Sequence, residues 1–459
     1  MRRRRRKGAR EVVGGREEAH PVDGRVSWEL NRQPAYAPRS HRMQLKTILN
    51  RLEKHKSFVY GSVTLDESGE EPRLLIRIKP RRGSRAVCSG CGKRSPGNGH
   101  GEEREFEYLP LWGLGVFFVY WMRRVNCRRC GVRVEQVPWG VGKHRQTRKY
   151  QWYLAKWAQR LSWQVVADVF GTSWQSVSAA VRMSVEWGLN HREMKGITAI
   201  GIDEIAWRKG HKYVTLVYQI NEECKRLLYV GENRSEESLR GFFRGLSEEV
   251  KGGIRFVCSD MWQPYLKVIG EQIGQAVHVL DRFHIMTHFS KAVDEVRASE
   301  SRDLKRSGTA PVLKHTRWCL LKRPENLTES QSVRLRELVQ LNLRTVRAYL
   351  LKEDFQWFWE YRSPTVAMRF LDEWCGKVMR SRLEPMKRVA RMLRHHQPLI
   401  RNWFVARGTI SGGVVEGFNN KAKLTTKKAY GFRELKTLEI ALYHQLGNLP
   451  EPEFTHRFR

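Results

Sequence analysis

The sequence predicts an α/β protein. Its α/β core is interrupted by a mostly helical insertion and preceded by a zinc β-ribbon and a helix-turn-helix. Three observations lead to this prediction. From Ile197 the hydrophobic pattern is strand, strand, strand, helix, strand, helix, strand. After Phe283 the pattern turns helical and stays so to about residue 405. Ahead of the core, two Cys-x-x-Cys pairs flank a segment of alternating apolar and polar residues.

The composition excludes several classes of protein. The chain has 459 residues, with 84 Lys and Arg against 48 Asp and Glu, and a formal net charge of +36. At 41% hydrophobic residues it is not a disordered chain, and no apolar run approaches the roughly 18 residues of a membrane span. The basic start has no apolar segment typical of a secretory signal, and eight Cys are ordinary usage, so we expect a cytoplasmic location. The charge favours nucleic acid as the partner over the alternative of a solvated basic surface.

Residues 1–42 hold 12 Lys and Arg and 5 Asp and Glu without clear periodicity, which predicts a disordered basic arm. Alternatively, the arm is not native and Met43 is the true start. Without the arm the charge is still +29, so the excess is spread over the rest of the chain. Residues 43–145 are predicted to form a β-rich zinc-ribbon domain, because residues 58–79 and 104–125 alternate in polarity.

Four of the eight cysteines form the pairs Cys88–Cys91 and Cys127–Cys130. Two such pairs supply four thiolates for one tetrahedral Zn²⁺, and the glycines that follow them, Gly92 and Gly131, permit the tight turns. We therefore predict one structural zinc ion bound by all four cysteines. A redox pair or unligated thiols are the alternatives. The other four cysteines lack this spacing and are expected to be small buried side chains.

Residues 146–195 are predicted to form a helix-turn-helix DNA-binding domain. Ser162 and Ser173 are suited to cap two helices, and Gly171 permits a left-handed turn between them. An ordinary helical hairpin is the alternative. Side chains near the start of the second helix would then contact DNA bases. Those residues are Trp174, Gln175, Ser178 and Arg182.

Residues 196–295 are predicted to be the first part of the α/β core. Three strands between Ile197 and Val230 fit an antiparallel meander, and Ile254–Cys258 is a buried strand that runs into Asp260. This order of elements is that of the RNase H-like fold, in which the first strand lies beside the end of the fourth. We therefore expect Asp203 and Asp260 to converge.

Two carboxylates at one edge of a sheet repel each other unless a cation lies between them. Mg²⁺ (or Mn²⁺) favours such a pair and keeps positions free for phosphate and water. Residues 406–459 form the last part of the core and offer a third acid, Glu416. On a helix, Glu416 would share its face with polar and basic side chains directed at a phosphate-bearing ligand. The residues of this segment predicted to contact DNA are Asn419, Asn420, Lys423, Lys427 and Lys428.

Other charged residues lie near these acids. Glu204 follows Asp203 on a strand and points to the opposite face, so we expect it to be solvated. Asp281, Arg282 and His284 follow the fifth strand and are predicted to support the metal-binding groups or contact DNA. A structural Arg–carboxylate pair is the alternative for this motif.

The helical insertion, residues 296–405, is rich in tryptophan. We expect most of these side chains to pack the core of the insertion, with stabilisation of distorted DNA as the alternative. They are Trp318, Trp357, Trp359 and Trp374.

The chain resembles the ISL3 group of insertion-sequence transposases, which have a DDE catalytic domain. The resemblance runs from about Cys88 to Leu446 and includes the two cysteine pairs and the helix-turn-helix. It implies that Asp203, Asp260 and Glu416 are the catalytic triad. The matching motifs, in order, are Gly201–Glu204, Lys209–Tyr213, Asp260–Tyr265, Asp281–His284, Glu416–Lys421 and Ala429–Phe432.

The predicted function is that of a DDE transposase that binds the terminal inverted repeats of an insertion sequence. Two divalent ions at the three acids would activate a water, then a DNA 3′-hydroxyl, and stabilise the leaving oxygen of an in-line displacement. Because two element ends must be cut together, we expect a homodimer or larger assembly on double-stranded DNA. The alternatives are a catalytically inactive DNA-binding regulator and a structure-selective nuclease.

Overall fold

The structure, a computed structural model, divides into two units, residues 1–54 and 55–459. The first contains helix α1, Leu45–Leu52. Within the described ranges, no helix is long and apolar enough to cross a membrane. The structure describes residues 44–208, 210, 212–309, 311–406, 412–429 and 431–455. The basic arm predicted at residues 1–42 lies outside them, as do Lys209, His211 and Tyr430 of the sequence motifs.

A five-stranded sheet opens the second unit. Its strands are β1 (Phe58–Asp66), β2 (Arg73–Pro80), β3 (Gly97–Leu111), β4 (Leu114–Cys127) and β5 (Gly131–Val134). They lie in the order β1-β2-β4-β3, with β5 paired to the end of β4. Trp139 packs against this sheet, with its ring 4.8 Å from Phe58 and 5.4 Å from Tyr120. The long hairpin of β3 and β4 is the β-ribbon that the alternation predicts.

Three helices follow: α2 (Arg148–Arg160), α3 (Trp163–Val169) and α4 (Trp174–His191). Their buried side chains, among them Leu154, Val166 and Val181, belong to one hydrophobic core together with side chains of the second sheet and of the last two helices. The helix-turn-helix therefore shares its core with the α/β part, and the predicted boundary at residue 195 does not separate two cores.

The second sheet contains β6 (Ala199–Arg208), β7 (Lys212–Ile220), β8 (Lys225–Glu232), β9 (Phe256–Ser259) and β10 (Val277–Leu280). The strand order is β10-β9-β6-β7-β8. Strands β6, β7 and β8 form the predicted antiparallel meander, and β9 pairs with β6 in parallel. Helices α5 (Glu236–Arg244), α6 (Glu248–Gly253) and α7 (Gln263–Ile273) lie between β8 and β10 in the chain. The first strand therefore lies beside the fourth, as predicted.

Seven helices follow the second sheet. They are α8 (Arg282–Arg306), α9 (Arg317–Leu321), α10 (Glu329–Val339), α11 (Arg344–Gln356), α12 (Pro364–Met379), α13 (Glu384–His395) and α14 (Gln397–Val405). Helix α8 crosses the predicted boundary at residues 295–296 without a break. The four tryptophans named in the sequence of the insertion divide into two pairs. Trp359 and Trp374 are buried in its core, as expected, whereas Trp318 and Trp357 are 55% and 68% exposed.

Two further helices, α15 (Gly412–Lys428) and α16 (Leu435–Leu446), complete the core. Helix α15 lies against β6 so closely that a Cβ atom at Gly201 would collide with Val415. The ring of Phe418 stacks on Tyr218 of β7 at 4.7 Å. Because Gly201 has no side chain, α15 approaches the strand that carries Asp203.

Candidate active site

Two aspartates lie on neighbouring parallel strands, Asp203 within β6 and Asp260 just after the end of β9. In the β6–β9 register, Gly201 lies opposite Cys258, so each aspartate follows two residues after this pair. Asp203 is 9% exposed, and the Asp260 side chain is 12% exposed. Burial raises the pKa of Asp203, and the negative charges of Asp260 and Asp281 raise it further. The structure thus brings the two predicted aspartates into one electrostatic cluster.

Asn419 of α15 holds Asp203. Its amide Nδ2 donates a hydrogen bond to Asp203 Oδ2, and its Oδ1 accepts one from the Tyr218 hydroxyl at 2.9 Å. The backbone N–H of Glu204 donates to the other oxygen, Asp203 Oδ1, at 2.8 Å. The prediction that Asn419 faces DNA is not what the structure shows. Asn419 is only 5% exposed, because α15 turns this side of the helix towards β6.

Glu204 is largely buried rather than solvated, with its side chain 14% exposed, although the alternation of the strand points it away from the face of Asp203. Arg234 lies between two acids: its Nε is 3.0 Å from Glu204 Oε1, and its Nη2 donates to Asp260 Oδ2 at 2.7 Å. Burial, followed by the charge of Asp260, raises the pKa of Glu204 to about 7. The guanidinium also lies 4.5 Å from the ring of Trp262. Arg234 therefore fixes Asp260, a role that no spacing in the sequence indicates.

Of the three residues predicted after β10, Asp281 and His284 belong to the same electrostatic cluster. Asp281 caps α8 by accepting the N–H of Phe283 at 2.8 Å, and its other oxygen lies 3.1 Å from His284 Nδ1. The hydrogen bond with Asp281 raises the pKa of His284 to about 9, so the imidazole carries a positive charge near Asp203. Arg282 does not join the acids. Its guanidinium lies 5.2 Å from the ring of Trp359 in the helical insertion.

Glu416 is the third acid that the sequence predicts for the site. It is exposed on α15, and among the described residues no acidic or histidine trio brings its ligand atoms within metal-binding distance. It forms an exposed stripe along the helix with Asn420, Lys423 and Lys427. Lys428 is exposed as well. This stripe presents one acid, one amide and two cations on a single face.

The aspartate pair has the chemistry of a divalent-cation site. Four carboxylates, of Asp203, Glu204, Asp260 and Asp281, share a region with the positive charges of Arg234 and His284. Oxygen ligands of this type are preferred by Mg²⁺ and Mn²⁺. A cation between Asp203 and Asp260 would offset the repulsion that now raises the pKa of Asp203.

The four predicted cysteines converge at one end of the β3–β4 hairpin. Their Sγ atoms lie within 4.8 Å of one another, and those of Cys91 and Cys127 are 3.5 Å apart. A tetrahedral ion with Zn–S bonds of about 2.3 Å needs sulfurs roughly 3.8 Å apart, so the cluster could hold zinc. Gly92 and Gly131 have φ angles of 69° and 70°, the left-handed turns expected after each pair.

The thiol acidities also favour a bound cation. Backbone N–H groups of Arg129 and Cys130 lower the pKa of Cys127 to about 6. The hydrogen bond with Cys91 raises the pKa of Cys130 to about 12. Four thiolates this close together would repel one another unless a cation compensated their charge. A single redox pair would not require both pairs to meet.

The helix-turn-helix has the predicted local geometry. Ser162 and Ser173 accept the N–H groups of Val165 and Ser176 as caps, and Gly171 has a φ of 58°. Trp174 and Gln175 are exposed at the start of α4, and the other two predicted contacts, Ser178 and Arg182, are half-buried. Trp174 lies with its ring 5.6 Å from Trp163 of α3.

Comparison with known proteins gives consistent matches. A family model described as a transposase, of the ISL3 DDE type, matches residues 200–442. The chain is 29% identical over 366 residues to the transposase for insertion sequence element IS1001 of Bordetella parapertussis, covering 79% of this chain and 88% of that one. It is 27% identical over 410 residues to the transposase for insertion sequence element IS1557 of Mycobacterium tuberculosis, covering 84% and 91%.

Replacing two thiols should abolish zinc binding. The protein with Cys88→Ser and Cys91→Ser loses half of the ligands, so its zinc content should fall from about one ion per chain to almost none. Inductively coupled plasma mass spectrometry after dialysis measures this content. Cys224→Ser, outside the cluster, is the control and should keep its zinc. Full zinc in the double variant would refute the four-cysteine site.

Two neighbouring asparagines of α15 provide a matched test of whether Asn419 holds the Asp203 carboxylate. Asn419→Ala leaves Asp203 Oδ2 and the Tyr218 hydroxyl without this partner, so the free energy of unfolding should fall by about 1–3 kcal/mol. The exposed Asn420→Ala should change it by less than about 0.5 kcal/mol. Urea unfolding followed by circular dichroism gives both values. Equal effects would show that Asn419 does not hold the carboxylate.

Proposed function

The chain belongs to the ISL3 family of insertion-sequence transposases. On this premise we propose that it binds the terminal inverted repeats of an insertion sequence and catalyses metal-dependent DNA cleavage and strand transfer. The observation that carries the proposal is the pair of the buried Asp203 and the largely buried Asp260 on adjacent parallel strands. The strand order β10-β9-β6-β7-β8 supports an RNase H-like core around this pair.

Asp203 and Asp260 are the residues proposed to hold Mg²⁺ or Mn²⁺, and Glu416 is proposed as the third acid on the strength of its motif. Two such ions, when bound, supply an activated hydroxyl nucleophile and stabilise the charge of the leaving oxygen. The rest of the chemistry is positioning by this chain. Asn419 fixes one oxygen of Asp203, and Arg234 fixes one oxygen of Asp260.

The protonated His284 is proposed to act on the DNA strand. Its Nδ1 is held by Asp281, and the imidazolium lies near the acids that would bind the cations. A positive charge at this place can bind a phosphate oxygen and compensate the negative charge that develops in an in-line displacement. Arg282, packed on Trp359, is instead proposed to anchor the helical insertion to the end of β10.

DNA is proposed to lie across the exposed basic elements. Asn420, Lys423 and Lys427 form an outward stripe on the helix whose other side holds Asp203. Backbone phosphates are the natural ligands of these lysines. The zinc ribbon and the start of α4 are proposed to recognise the element ends. Because both ends must be cut together, the active form is proposed to be a homodimer or a larger assembly on DNA.

One observation favours a rival function, that of a DNA-binding regulator without catalytic activity. Glu416 is exposed, and among the described residues no three acids bring their ligand atoms within 4.8 Å of one another. A nuclease that cuts without joining is the other rival. Labelled DNA that carries the element ends, incubated with the protein and Mg²⁺ or Mn²⁺, distinguishes all three functions. The transposase cuts and joins, the nuclease only cuts, and the regulator only binds.

Asp203→Asn should reduce DNA cleavage by more than about 100-fold, because it removes a charged ligand of the proposed cation. Glu223→Gln, an exposed acid at the β7–β8 turn, is the matched control and should cleave as the unaltered protein does. Gel-shift binding to the same DNA without metal should persist in both variants. Undiminished cleavage by Asp203→Asn would overturn the assignment of the site.

A further inference from the structure

A cavity of about 400 Å³ opens between the helix-turn-helix and the last two helices of the core. Its walls are mainly aromatic and apolar, and two lysines of α15 stand at its border. We call it the aromatic pocket and define it by six residues. They are Trp163, Trp174, Leu424, Phe432, Lys421 and Lys428.

The apolar wall of this pocket is unusually open to solvent. Trp174 is 40% exposed and Leu424 is 53% exposed. Trp163 lies between the other rings, 5.6 Å from Trp174 and 6.2 Å from Phe432. Large apolar side chains grouped at the surface and rimmed by charge are typical of a binding site.

We propose that the aromatic pocket holds one unstacked nucleobase of a DNA strand, whose phosphates are bound by Lys421 and Lys428. Aromatic rings offer a stacking surface that suits any base, and each stacked base contributes about 1–3 kcal/mol. Both lysines are exposed and can reach the backbone on either side of that base. This inference rests on DNA as the substrate but not on cleavage.

The polar side chains at the border indicate that the pocket does not select among bases. Gln164 Nε2 donates to Asp168, Gln445 Nε2 to the carbonyl of Ala158, and the Thr425 hydroxyl to the carbonyl of Lys421. Since each of these three groups already donates one hydrogen bond within the protein, stacking and charge are proposed as the main contributions. The pocket therefore suits distorted or single-stranded DNA of any base sequence.

The charge of the pocket argues against an apolar segment of a second copy as its occupant. Two lysines flank the opening, and every copy of the chain carries a net charge of +36, so copies repel each other unless a polyanion lies between them. A DNA strand has the complementary charge. It also brings planar rings that match the aromatic walls.

The position of the pocket would hold a bound base at a defined place relative to the aspartates. Helix α15 carries Asn419, which holds Asp203, and on another side Lys421, Leu424 and Lys428. A base seated in the pocket would fix its strand relative to the acids through one continuous helix. The bound base would also contact Trp174, a residue predicted above to contact DNA bases.

The test compares two strands that differ only in their bases. Full-length protein in EDTA, which excludes cleavage, is titrated into fluorescein-labelled oligothymidylate of twelve units or into a twelve-unit abasic strand. Fluorescence anisotropy gives both affinities. The unaltered protein should prefer the thymidylate by about tenfold. Trp174→Ala with Leu424→Ala should reduce this preference to less than about twofold, and Trp174→Phe should largely keep it.

Two further variants separate stacking from charge. Trp112→Ala removes an 87% exposed tryptophan that does not line the pocket and should leave the preference unchanged. Lys421→Gln with Lys428→Gln should weaken both strands alike and lower the salt dependence by roughly one unit of slope. Far-ultraviolet circular dichroism checks that each variant is folded.

Three results would overturn the proposal. The first is equal affinity of the unaltered protein for the two strands. The second is a preference that survives the Trp174→Ala and Leu424→Ala changes. The third is a change in the oligomeric state of this double variant, measured by sedimentation, while the double variant still prefers thymidylate over the abasic strand. That result would identify the pocket as a contact between copies of the chain. Loss of cleavage alone bears on the proposed function and leaves this comparison unaffected.

Discussion

Repulsion between buried carboxylates is the constraint on which the site depends. Asp203 lies within β6 and Asp260 just after β9, and these parallel strands pair directly, so the backbone register itself brings two negative charges together. Burial removes much of the water that would screen them, and the pKa of Asp203 rises as a result. Asn419, Arg234 and His284 surround the acids with donors and positive charge. The remaining negative charge is what a divalent cation would neutralise.

Helix α15 contacts both the strand that carries Asp203 and the hydrophobic core that includes the helix-turn-helix. Val415 packs where Gly201 leaves room, Asn419 reaches Asp203, and Ala422 is buried in the core that includes the helix-turn-helix. The opposite side of the helix presents Asn420, Lys423 and Lys427 to solvent. Because helices α2–α4 and the second sheet share one core, DNA bound at α4, as proposed, would be held at a defined position relative to the acids.

Local signals in the sequence predict much of this arrangement. The order of strands and helices along the chain follows from the hydrophobic period, the caps Ser162 and Ser173 from their side chains, and the meeting of four cysteines from their spacing. The convergence of Asp203 and Asp260 follows from the order of the elements, because it requires only that the first and fourth strands pair.

The sequence does not predict correctly which face of a helix or strand packs against the neighbouring elements. Asn419 and Asn420 are adjacent, and their spacing from Glu416 fits one exposed stripe, yet packing of α15 on β6 buries Asn419 alone. Glu204 is buried because Arg234, from the end of another strand, pairs with it. Partners distant in sequence leave no periodic signal, so such contacts emerge only with the tertiary fold.

The count of bound Mn²⁺ tests the central claim most directly, because it requires neither the element ends nor activity. Electron paramagnetic resonance of free Mn²⁺, titrated with the full-length protein at neutral pH, gives the number of ions bound per chain. The account predicts that the protein with Asp203→Asn and Asp260→Asn binds at least one ion fewer than the unaltered protein, with its zinc content unchanged. Equal Mn²⁺ binding by the two proteins would contradict the claim that these aspartates form the cation site.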